Sequence, residues 1–143
     1  MNNIFENILK NVMIFSPHED DESICCAGII RRCVINDSNI KLVLVTTGDH
    51  SDAKGRLQKT ISAMELLGLK KEHIIYLGYG DYDVLGPAYR SKDTPQQIFP
   101  GRRGNKTYGF PSLNIIDYHY KLHETHAFYT YENILNDIYN LLS

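Results

Sequence analysis

One imidazole and four carboxylates stand in a row at Pro17-His18-Glu19-Asp20-Asp21-Glu22. Nitrogen and hard oxygen donors so close together suit a borderline divalent cation such as zinc. His18 and Asp21 are three residues apart, so a turn entering a helix aims both at one ion. Asp20 then points elsewhere and is left to act as a base. The plainer alternative is that Asp20 and Asp21 cap a helix and His18 is a satisfied turn residue. The elements on either side weigh between the two.

Val12 to Ser16 is a short, continuously apolar run that reads as a buried strand. Asp20-Asp21-Glu22 then opens a helix, where acidic groups accept from free backbone N–H groups and oppose the positive dipole end. That helix carries Ile24 to Ile30, is expected to be packed on most sides, and ends near Arg31-Arg32. A second buried strand follows at Lys41 to Thr46. Leu57, Ile61, Met64 and Leu67 trace one helical face, and Gly68 stands where a helix C-terminus wants it. His73 to Leu77 is a third strand. Strand and helix alternate, which predicts a parallel sheet with right-handed crossovers, a Rossmann-like three-layer α/β sandwich. Functional groups then gather at the carboxyl ends of the strands. The His18 segment, the Gly48-Asp49-His50 turn and the turn from Gly78 to Asp83 all fall there, which favours chemistry over capping.

From Gly78 to Tyr129 no period is visible, and such a stretch is expected to cover a site as an insertion. All ten tyrosines lie at or after Tyr76. Thr130 caps a last helix with an apolar stripe of Ile134, Leu135, Ile138, Leu141 and Leu142. No strand follows it, so the expectation is a single domain over residues 1–143 whose sheet lacks its C-terminal part.

Phe15-Ser-Pro-His-Glu-Asp-Asp-Glu-Ser-Ile-Cys-Cys-Ala-Gly28 resembles the N-terminal signature of the PIG-L/LmbE-type deacetylases, P-H-P-D-D-E before a small-residue helix. Glu19 stands where that family usually has proline. Arg56, Ala63 and Leu67-Gly68 are similar to the family's R-x-x-E-x-x-x-A-x-x-x-L-G helix, with Lys59 in place of the glutamate. Leu77-Gly78-Tyr79-Gly80-Asp81 looks like its L-G-x-P-D turn. The resemblance implies that His18 and Asp21 ligate Zn2+, that Asp20 is the general base on metal-activated water, and that Arg56 and Asp81 serve the substrate pocket. The implied reaction removes an N-acetyl group from an amino sugar or glycoconjugate. The family's third ligand comes from a later H-P-D-H-like string, absent here. His119, His123 and His126 are spaced for one helical face, but their aromatic setting reads as a loop, and His50 is no stronger.

Formal charge is -2 at pH 7 over 143 residues, which gives no general reason to bind nucleic acid or an anionic membrane. Arg102, Arg103, Lys106 and Tyr108 form a small patch best read as a solvated loop. Gly78-x-Gly80 lacks the third glycine of a dinucleotide loop, Asp83 standing there. No apolar run reaches the length of about 18 residues that a membrane span needs. Cys25, Cys26 and Cys33 lack metal or disulfide spacing and read as reduced core thiols, which predicts a cytoplasmic protein. A small-molecule substrate is the expected partner, and a homo-oligomer is allowed. Two rivals remain: a non-catalytic remnant or sugar-binding module with an incomplete metal site, and a phosphate-binding regulatory domain built on Arg56 and the basic loop.

Overall fold

Three short runs of mostly β-branched and large apolar residues form the sheet, in a computed structural model that describes residues 10–48, 52–81 and 93–143. Strands β1 (Asn11–Ser16), β2 (Asn39–Thr46) and β3 (Ile74–Tyr79) pair in parallel in the order β1-β2-β3. The expected α/β class and parallel sheet are therefore present. Each strand runs one or two residues beyond its expected segment at one end, β3 also starting one residue later at Ile74, because ladder pairing continues into flanking residues such as Asn11 opposite Asn39.

Both faces of the sheet are covered, which is why its strands alternate little between apolar and polar. On one face Ile14, Leu42, Leu44, Ile74 and Tyr76 pack against Ile30, Cys33, Leu57 and Met64. On the other, Val43, Leu77 and Tyr79 pack against Phe99, Ala127, Tyr129 and Ile134.

The helix expected after the acidic run is two helices, α1 (Asp21–Cys25) and α2 (Ala27–Ile35), divided at Cys26. It is not packed on most sides: Ile24 is 77% exposed and Ile29 about half exposed at 48%. Only Cys33 of the three cysteines is a core thiol, since Cys25 is exposed and Cys26 half-buried. Helix α3 (Ala53–Leu66) is capped by Asp52, whose side chain accepts from Gly55 N at 3.0 Å. It ends as predicted at Gly68 (φ 87°), with Leu69 N donating to Met64 O and Gly68 N to Glu65 O. That paired ending satisfies carbonyls a helix terminus otherwise leaves free.

Of the stretch expected to form a covering insertion, residues 82–92 lie outside the described residues, and the described part contributes to the core. Phe110 and Ile115 join the first cluster and Phe99 and Tyr129 the second. Within it a helix, α4 (Tyr118–His123), stands where an aromatic loop was expected; Asp117 caps it by accepting from Tyr120 N at 3.1 Å. Helix α5 (Tyr131–Leu142) begins at Thr130 as predicted, its hydroxyl accepting from Asn133 N. The stripe holds only in part, with Leu135 and Leu142 turned to solvent and Asp137 buried. No helix among the described residues is long and apolar enough to cross a membrane.

Candidate active site

The turn after β1 is held from three directions. Pro17 O accepts from the amide (3.1 Å) and hydroxyl (2.7 Å) of Thr46, at the end of β2. Arg56, on α3, donates through Nη2 to Glu19 O at 2.7 Å. From within, the buried carboxylate of Glu22 accepts from Asp20 N (3.1 Å), Ser23 Oγ (2.9 Å) and Thr60 Oγ1 (3.3 Å). Ser16 Oγ also lies 3.1 Å from Glu22 Oε2 and 2.8 Å from His18 O, its single proton serving one at a time. Glu22 was not singled out in the sequence, where it is one more acid in an acidic run. It is the group that ties β1, the turn and α3 together.

These restraints hold Asp20 at φ 128°, a backbone conformation that residues with a Cβ rarely adopt. Strain of this kind costs on the order of 1–3 kcal/mol and persists only where the surroundings impose it. Its effect is to separate Asp20 from Asp21. Asp21 Oδ2 lies 3.3 Å from His18 Nδ1 and 3.2 Å from His18 N. Asp20 Oδ2 instead meets Arg56 Nη2 at 3.2 Å.

Asp81, three positions below Gly78 at the end of β3, reaches the same imidazole. Its Oδ1 is 2.8 Å from His18 Nε2, and the residue is 6% exposed. The five residues expected at a site fall into two contacting groups at the same turn, Asp21 and Asp81 on the two nitrogens of His18, and Asp20 paired with Arg56. Asp81 lies behind the imidazole, whereas Glu19, Asp20, Ser23, Arg56 and Lys59 line an open cleft of ≈ 290 Å³.

Glu19 is the residue sequence reasoning weighed only as a missing proline. It is 1% exposed, and neither carboxylate oxygen has a hydrogen-bond partner among the described residues. Burial pushes its carboxyl up to about 7, the Asp81 and Glu22 carboxylates adding to the effect and the Arg56 guanidinium opposing it. Its Oε2 rests against Gly48, where a Cβ would stand 2.1 Å away. Gly48 also has φ 56°, so backbone conformation and space both call for glycine.

The donor chemistry fits a zinc ion. Two ligands at about 2.0–2.1 Å on a tetrahedral centre are separated by about 3.3–3.4 Å, and His18 Nδ1 and Asp21 Oδ2 are 3.3 Å apart. Around them Glu22 and Asp81 are buried acids, so the surroundings favour a cation. Among the described residues no three such side chains converge as a metal site, so the set consists of two donors.

The sequence profile of PIG-L, GlcNAc-PI de-N-acetylase, matches residues 13–142. The chain belongs to the PIG-L family. Its members are typically metal-dependent, deacetylase-type hydrolases acting on sugars. No curated protein and no solved structure matches the chain significantly. The match spans β1 to α5 and so includes the whole His18, Asp20, Asp21, Arg56 and Asp81 constellation.

Two of the other candidate histidines have carboxylate partners elsewhere, and His123 stands exposed beside the His119 ring. His126 Nδ1 lies 2.8 Å from the buried Asp117, and His119 Nδ1 lies 2.9 Å from the buried Asp137. His50 lies outside the described residues. The basic patch stays exposed, with Arg103 5.6 Å from the Tyr108 ring centre and Lys106 4.4 Å from that of Phe128.

Proposed function

We propose that this chain removes an N-acetyl group from an amino sugar or glycoconjugate, with zinc held by His18 and Asp21 and Asp20 as the base. The observation that carries the reading is the divergence of neighbouring carboxylates: Asp21 shares a 3.3 Å edge with His18, while Asp20 turns to Arg56 at 3.2 Å.

Amide hydrolysis needs a nucleophile, a group to take its proton and stabilisation of the developing oxyanion. Zinc, when bound, acidifies a water and polarises the acetyl carbonyl. Asp20, exposed at the cleft, accepts the water's proton at a carboxylate oxygen. Arg56 orients that carboxylate through its 3.2 Å contact. Asp81 holds the His18 ring from behind, as carboxylates commonly do for ligating histidines. Lys59 and Ser23, beside Asp20 in the cleft, offer donors to sugar hydroxyls. The test is acetate release from N-acetylglucosamine derivatives alongside elemental analysis. Near-stoichiometric zinc with turnover that Asp20→Asn abolishes supports the reading; zinc lost in Asp20→Asn and kept in Asp21→Ala overturns the roles.

The second reading is a sugar-binding module without catalysis. It is favoured by the two-donor count among the described residues, because catalytic zinc ordinarily has three protein ligands. Such a module purifies without zinc and binds the same sugars unchanged.

A further inference from the structure

Asp137, on α5, is fully buried and accepts from Tyr79 Oη at 2.5 Å and from His119 Nδ1 at 2.9 Å. Burial pushes the Tyr79 phenol up, and the Asp137 charge adds to this, so that group remains a neutral donor. Among the described residues no lysine or arginine is paired with Asp137. A carboxylate removed from water needs positive charge nearby, and His119 is the neighbour through which it can come.

An ionised carboxylate only accepts, so His119 carries its proton on Nδ1 and, as a neutral ring, keeps the lone pair on Nε2. A carboxylate behind an imidazole in this way is the usual support of a metal-ligating histidine. One helical turn on stands His123, exposed on the same face of α4, and the two rings are 4.5 Å apart between centres at 49°.

We propose that His119 and His123 form a second metal site, a two-histidine chelate for a divalent transition ion of the zinc, nickel or copper type, with water completing the coordination. Imidazole donors select these ions over magnesium or calcium. Asp137 orients the first ligand, and the bound cation supplies the charge that the buried carboxylate lacks. The site joins α4 to α5 and, through Tyr79, to the end of β3, so metal binding strengthens the junction of the tyrosine-rich half with the sheet. It is independent of the front site, having no residue in common with it.

The experiment is calorimetric titration of Zn2+ into a His18→Ala/Asp21→Ala chain, which removes the front donors. One equivalent should remain, and adding His123→Gln, a change at an exposed position, should weaken it at least tenfold while circular dichroism stays unchanged. Asp137→Asn should weaken it by about 10–100-fold; where that variant loses its fold, His119→Gln replaces it with the same expectation. Binding unaffected by His123→Gln, or no zinc taken up by the His18→Ala/Asp21→Ala chain, overturns the proposal.

Discussion

The Nε2 of His18 stands 2.8 Å from Oδ1 of Asp81, which joins the turn after β1 to the turn after β3 across the carboxyl end of the sheet. Because Asp81 is buried and His18 is at the surface of the site, the carboxylate sets the ring's orientation and not the reverse. Asp81→Ala is therefore expected to lower zinc affinity by about 10–100-fold, read by competition with a chromogenic chelator. Affinity equal to wild type, with a raised KM, would return Asp81 to the substrate pocket.

Asp20→Asn is expected to keep zinc and fold while lowering turnover by about 10²–10⁴-fold, the usual contribution of a positioned base. Asparagine preserves size and can still accept from Arg56, but cannot take the proton. Steady-state acetate release on zinc-loaded protein measures it. Arg56→Ala should also retain zinc, since its donors go to Glu19 O and Asp20 Oδ2 and not to His18 or Asp21.

Glu22→Ala should destabilise the chain by about 3 kcal/mol, because it strands the Asp20 amide and the Thr60 hydroxyl beside a new cavity. Urea unfolding with chelator present separates this from metal loss. A change within about 0.5 kcal/mol, the range of ordinary surface substitutions, would mean that the turn is held by Thr46 and Arg56 alone.

What could be foreseen from the sequence follows the range of the interactions. His18, Asp20 and Asp21 were legible because their geometry is set within one turn of chain between a strand and a helix. The Schellman ending at Gly68 and the cap at Thr130 belong to the same local class, whereas Asp20 flanks its helix without a side-chain cap bond. The Asp81 contact depends on strand order and register, which no local spacing encodes. Helix α4 has six residues, too few for an apolar period to show. The segment holding Phe99, Phe110 and Ile115 has no period at all, and its burial comes from the sheet faces it meets. For the same reason Glu19 could not be told from its exposed neighbour Asp20: adjacent acids differ here only in which way a strained turn sends them.

That difference makes a pH prediction. In the folded chain the Glu19 carboxyl is raised from 4.5 to about 7, mainly by burial. Between these values the native state holds a proton that the unfolded chain has released, so native stability falls as pH rises. The contribution is complete below the unfolded value and is lost as pH climbs through about 7. Fully expressed, it amounts to about 3 kcal/mol, since one pKa unit is about 1.4 kcal/mol. Glutamine at this position does not titrate. With chelator present to remove any bound cation, the stability of wild type relative to Glu19→Gln should therefore drop by up to about 3 kcal/mol between pH 5 and pH 8. Comparing the change across pH cancels whatever the amide gains or loses by being buried. Urea midpoints of the two proteins that shift in parallel over this range would show that Glu19 is ionised in the native chain, and that water or the Arg56 guanidinium reaches it.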